Sequence, residues 1–257
     1  MRQPDPDFGR RDIRIRTIAI GLGAALCLDL SAACAALPGP HRALWPGFFG
    51  LREIAPGLWI DDLGRGQAAR ELARQADDTT AAFFGPLETR PRIIFCTAPH
   101  CAGTLGLRPS GLTYGHALIL IGPGGQNEMI VPHERIHAEL HRALRVSDLW
   151  DQRIPAWFNE GLASFLSGDP RPDRPLHARD ADWICTARSF RDWGRPHPEK
   201  DWRATFGAAA RLVAEIEEIH GRDGLRDLVA AVEAGAPFDA EYRRLMPAPT
   251  ACALPPS

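Results

Sequence analysis

Two histidines and a glutamate in the stretch His133-Glu134-Arg135-Ile136-His137 have side chains whose types and spacing can do chemistry together. On a helix, residues four apart lie on one face about a turn apart, so both imidazoles can reach a single metal ion. The glutamate beside the first histidine then lies where it can polarise a zinc-bound water. A catalytic zinc ion takes three protein ligands and keeps a fourth position open. The run Trp157-Phe158-Asn159-Glu160-Gly161-Leu162-Ala163-Ser164-Phe165 offers the third. Glu160 interrupts an otherwise apolar helix, and an unpaired carboxylate is costly to bury there. A cation partner accounts for it; the plain alternative is an exposed Glu160, or one paired with an arginine such as Arg153. The spacing therefore points to one Zn2+ per chain on His133, His137 and Glu160, with Glu134 as general base.

Other side chains near these motifs have weaker claims. His141 shares the face of His133 and His137, but a His137/His141 pair would lack its base because Ala138 follows His137. His141 reads as a supporting or groove residue, or as a solvated one. Hydrolysis also needs a donor facing the oxyanion, commonly tyrosine or histidine. The chain has two tyrosines. Tyr114, next to His116 and just ahead of the metal helix, is the candidate, and Tyr242 reads as packing. Trp183, Trp193 and Trp202 could roof the cleft or pack on it.

His133-Glu134-x-x-His137 followed by Asn159-Glu160-Gly161-x-Ala163 resembles the gluzincin metallopeptidases. The Trp157–Gly161 segment is similar to the third-ligand helix of the aminopeptidase-N family, and residues 90–235 more broadly resemble the bacterial peptidase MA-like proteins. The resemblance implies an α+β, zincin-like fold and hydrolysis of peptide bonds in a peptide or protein substrate. Three departures qualify it. The 22 residues between His137 and Glu160 exceed the usual aminopeptidase-N gap. No Gly-x-Met-Glu-Asn element precedes the metal helix. A later helix has Phe206 where related proteins often have tyrosine. Aminopeptidase activity is therefore not implied. A non-catalytic zinc-site binding domain on the same scaffold is the alternative function.

The elements that must position these residues follow from periodicity. Gln67 to Phe84 has helical spacing, with Ala68, Leu72, Ala76, Ala81 and Phe84 able to share a face. Residues 37–60 read as an irregular entry with one short strand at Leu58–Ile60. Arg92–Cys96, Leu112–Tyr114 and Ala117–Ile121 read as strands, the last two separated at Gly115. Val131–Leu144 and Ile154–Leu166 read as the two site helices, each with proline in its first turn. Residues 167–204 are loop-like. Phe206–His220 is amphipathic, with Phe206, Ala209, Leu212, Val213 and Ile216 on one face. Leu225–Ala234 follows a Gly221/Gly224 break, and a last short helix holds Tyr242 and Leu245.

The 257-residue chain is 45% hydrophobic and 24% charged, the mix of an ordinary globular protein. Net charge is −2, which gives no global basic field for nucleic acid. Arg10, Arg11, Arg14 and Arg16, then the uncharged run Ile18–Leu28, then small residues to Ala36, have the layout of a secretory signal peptide. Cleavage would leave a mature start at Ala36 or Leu37 and a periplasmic or secreted protein. The alternative is an uncleaved inner-membrane anchor, about Thr17 to Ala36, interrupted by Asp29. Membrane contact is expected only in that case. Removing residues 1–35 leaves the net charge at −3. The expected organisation is a leader over 1–35, an α/β part over 36–125, a helical zinc-binding part over 126–246 and a Pro/Ala-rich tail over 247–257. In an oxidising compartment Cys96 and Cys101, five apart around Pro99, are expected to form a disulfide, leaving Cys185 and Cys252.

Overall fold

The computed structural model describes residues 39–143, 153–169, 184–195 and 201–246. The expected leader and tail lie outside the described residues. The fold is mixed α/β, built on a five-stranded mixed sheet: β1 (Arg52–Ala55), β2 (Leu58–Ile60), β3 (Arg92–Phe95), β4 (Gly111–Tyr114) and β5 (Leu118–Ile121). Their order is β1-β2-β3-β5-β4. β2, β3 and β5 run parallel, and β1 and β4 close the edges antiparallel. Short apolar runs, Arg92-Ile-Ile-Phe95 and Leu118-Ile-Leu-Ile121, form the central strands because both of their faces are covered. Ile93, Phe95, Ile119 and Ile121 face one core, and Ile94 and Leu120 face the other. The chain before β2 is more ordered than expected, pairing β1 with β2 as a hairpin after two short 3-10 turns.

The helices are α1 (Gly66–Phe84), α2 (Pro99–Thr104), α3 (Ile130–Leu140), α4 (Ala156–Leu166), α5 (Phe190–Gly194), α6 (Trp202–Glu233) and α7 (Phe238–Leu245). α1 buries Ala69, Ala76, Thr80 and Phe83, a face rotated from the expected one and leaving Ala68 exposed. The rotation follows from where α1 packs: Ala69 and Ala76 join the sheet residues and α3 in one core. α2, for which periodicity gives no signal, carries Cys101, which is disulfide-bonded to Cys96 with Cα atoms 5.3 Å apart. Cys185 is also disulfide-bonded, to a partner outside the described residues. α5 is a short helix within the region expected to be loop. Ser189 caps it, and Asp192 returns the bond in a capping box.

α3 lies between the sheet and α4. Asn127 Oδ1 accepts from the Met129 and Ile130 N–H groups at 3.0 and 2.9 Å, satisfying donors at its start. It ends at Leu140 and tightens into a 3-10 turn over His141–Ala143. α4 begins after Pro155, and its first two N–H groups bond to Arg188 and Ala187 carbonyls. α6 is interrupted at Gly221, where the backbone is non-helical. Before that point Ala209, Leu212, Val213 and Ile216 are wholly buried as expected, against Trp157, Phe158 and Leu162 of α4. Burying each of Leu212, Val213 and Ile216 contributes about 1.5–3 kcal/mol. Apolar packing, rather than the polar site, therefore holds α4 in place. Gly161 makes the approach possible, since a Cβ there would stand 2.5 Å from the Ala209 carbonyl oxygen.

Candidate metal centre

α3 is not a surface helix: every residue from Val131 to Leu140 is buried. Its four-residue repeat places His133 and His137 one above the other, with Nε2 atoms 3.0 Å apart. Glu160 reaches in from the second turn of α4, its Oε2 lying 3.4 Å from each of those nitrogens. The three side chains form a buried or nearly buried group able to hold a metal ion. Arg153, the alternative partner for Glu160, bonds instead to the Ala143 carbonyl.

The spacing of these atoms can be compared with coordination chemistry. Tetrahedral zinc with bonds of about 2.0–2.1 Å holds neighbouring ligand atoms about 3.3 Å apart. The observed edges of 3.0, 3.4 and 3.4 Å make one face of such a tetrahedron. Two nitrogens and one carboxylate oxygen are also a borderline donor set that zinc accepts.

The electrostatics agree with a cation site. Burial alone would raise the Glu160 pKa, but the facing His137 and His133 outweigh it and hold the carboxyl well below the usual carboxylate range. Burial would likewise lower the His137 pKa, yet the Glu160 charge, helped by Glu134 and Asn159, lifts it to about 9.

Two supporting contacts hold His137 from behind. Its Nδ1 lies 2.6 Å from Asn159 Oδ1, which aims Nε2 at the ligand cluster. Asn159 Nδ2 in turn lies 2.9 Å from His141 Nε2. His141 is buried, stacks on His137 at 5.7 Å and meets Phe190 edge-on. Burial first, then the neighbouring His137, lowers its pKa to about 3.

Glu134 is held from the sheet side. Thr113 Oγ1 is 2.7 Å from Glu134 Oε2 and 2.9 Å from its backbone carbonyl oxygen. Gly111, two residues earlier on β4, leaves the room that the carboxylate occupies. Neither residue belongs to a motif. The clue available in the sequence is period-two alternation, which puts residues 111 and 113 on one face of a strand close ahead of the metal helix.

The same alternation separates Tyr114 from the site. Gly111 and Thr113 face α3, whereas Leu112 packs in the opposite core. Tyr114 follows Leu112 to that side, is 37% exposed, and makes no hydrogen bond or ring contact with the three ligands. Its hydroxyl pKa is raised by partial burial. Tyr242 lies in the core against Trp157 and Phe238, as read from the sequence. Phe206 stands 6.1 Å from the His133 ring and brings no hydroxyl; Trp193 packs behind it at 5.3 Å. Trp183 and the Trp202 side chain lie outside the described residues.

The reverse face of α3 carries a second polar group that no motif marks. Arg135 is fully buried and bonds to Asp77, Thr89 and Glu139. Glu139, also fully buried, accepts from the Glu88 and Thr89 N–H groups and the Thr89 hydroxyl. Burial would raise its pKa, but these bonds and the Arg135 charge hold it down. A cavity of about 390 Å³ opens beside Arg135, and none of the three candidate ligands lines it.

No family model, curated protein or solved structure matches this chain.

Proposed function

We propose that this chain is a zinc-dependent peptidase with a zincin-like site of the gluzincin type, acting in the cell envelope, periplasmic or secreted. The reading rests above all on one observation: a glutamate held on the sheet side by Thr113 beside a His-His-Glu cluster whose spacing suits zinc. His133, His137 and Glu160 would be the ligands. When bound there, zinc supplies a Lewis acid that makes water nucleophilic near neutral pH.

The protein's own groups do the rest. Glu134 Oε1 or Oε2 accepts the proton of the attacking water and returns it to the departing amine, the two roles of one general acid–base group. Thr113 donates to the carboxylate and limits its rotation, so proton transfer starts from a fixed position. Asn159 keeps His137 in the tautomer that leaves Nε2 free to ligate.

A second reading, a zinc-site binding domain without catalysis, draws on Phe206. The ring that faces His133 offers no donor to an oxyanion. Turnover of a mixed peptide library separates the two readings. Peptidase function requires cleavage by zinc-loaded wild type and a loss of roughly 10²–10⁴-fold in Glu134→Gln. No cleavage by the zinc-loaded wild type, or equal cleavage by both proteins, contradicts it.

A further inference from the structure

His141 belongs to neither motif set, yet it is buried beside the cluster with its Nε2 pointed at Asn159. A primary amide has direction: its oxygen only accepts and its nitrogen only donates. Asn159 lies between two imidazoles, 2.6 Å from His137 Nδ1 and 2.9 Å from His141 Nε2. If the amide turned over, its NH2 would face His137 Nδ1, which would then have to accept. The His137 proton would move to Nε2, the atom needed to ligate the metal, and a protonated nitrogen has no lone pair to give. Metal binding therefore requires one of the two amide orientations.

We infer that His141 is a positioning residue that fixes the direction of the Asn159 amide and, through it, the tautomer of His137. The inference rests on the metal reading above. A neutral His141 with its proton on Nδ1 presents a bare Nε2, which accepts from Asn159 Nδ2. The Asn159 oxygen is then committed to His137 Nδ1–H, and His137 Nε2 is left bare. The two bonds run in one order, so an acceptor at His141 Nε2 and a bare Nε2 on His137 go together. This explains a buried histidine four residues beyond a ligand on the same helical face, placed where it does not itself join the cluster.

The test measures zinc affinity of the full chain by competition with a chromogenic chelator. His141→Leu removes the acceptor and keeps the apolar bulk; zinc binding is expected to weaken 10–100-fold, the usual effect of losing a supporting contact behind a metal ligand. His141→Gln can present an amide oxygen to Asn159 and is expected to restore affinity to within about threefold, which packing alone would not do. A third comparison uses Asn159→Asp, whose two oxygens both accept. In that background His137 no longer depends on His141, so adding His141→Leu should leave affinity unchanged.

Zinc binding by His141→Leu as tight as wild type overturns the inference alone. Equal losses in the Leu and Gln variants, or an undiminished Leu effect in the Asn159→Asp background, overturn it as well. Wild-type protein that takes up no zinc overturns the metal reading and the inference together. If His141→Leu does not fold, His141→Phe, which keeps the ring against His137 but offers no acceptor, takes its place in both comparisons.

Discussion

Gly111 and Glu134 share a space that a β-carbon would fill: a Cβ at residue 111 would stand 2.6 Å from both Cγ and Oε1 of Glu134. The contact couples an edge strand to the proposed general base without involving any metal ligand. Gly111→Ala is expected to push the Glu134 carboxylate aside and cost about 1–3 kcal/mol in stability. Zinc content should stay at the wild-type level, while peptide turnover falls roughly 10²-fold because a base displaced by about 1 Å is misaligned. Metal analysis and turnover on the same sample check both halves.

Arg135 and Glu139 are expected to matter for folding rather than chemistry. Removing one member of a buried pair leaves an uncompensated charge and costs about 3–5 kcal/mol. Arg135→Met should therefore lower the denaturation midpoint strongly, because Glu139 has no exposure through which to recover hydration. Replacing Glu139 as well removes the stranded charge but also the acceptor of the Glu88 and Thr89 N–H groups, so the double variant should recover only part of the loss. Urea titrations of the single and double variants measure this; equal stability of Arg135→Met and wild type would contradict the role assigned to the pair.

Zinc uptake should depend on pH through His137. Its pKa in the metal-free fold is raised from 6.5 to about 9, so at neutral pH it carries a proton that a metal must displace. Zinc binding at pH 7 is expected to release about one proton from His137, and apparent affinity should rise with pH up to about 9. The sign for stability is opposite. A raised pKa stabilises the metal-free fold below pH 6.5, and that contribution is lost as pH rises through about 9. Calorimetry in buffers of different ionisation enthalpy counts the protons; none released at pH 7 would refute the protonated apo site.

Gly161→Ala tests the docking of the helix that carries Glu160. The added Cβ would meet backbone, the Ala209 carbonyl, at 2.5 Å, so α4 and α6 must separate. Destabilisation of about 1–3 kcal/mol is expected, together with weaker zinc binding because Glu160 moves with α4. Unchanged melting temperature and zinc affinity would contradict this.

The grouping of His133, His137 and Glu160 was legible because helical geometry is local. His133 and His137 lie on one face by spacing alone, and Glu160 stands out as a carboxylate in an apolar run. What could not be read depends on which side of the sheet a residue faces. Tyr114 is attractive by proximity in sequence, but strand alternation turns it toward the face opposite Glu134, while Thr113, one residue away, reaches the carboxylate. The buried face of α1 differs from the expected one for a similar reason: an alanine-rich helix has several stripes that could be buried, and contact with α3 and the sheet selects among them. Arg135 and Glu139 look like ordinary surface charges in the sequence because their partners, Asp77, Thr89 and Glu88, come from distant segments.

The most direct measurement is the zinc-to-protein ratio of purified wild type beside Glu160→Ala. One zinc per wild-type chain, and loss of that zinc in a Glu160→Ala protein that remains folded, is the expected result, because two histidines alone make a poor zinc site. Wild type that binds no zinc, or Glu160→Ala that retains a full equivalent, would contradict a metal centre built from His133, His137 and Glu160.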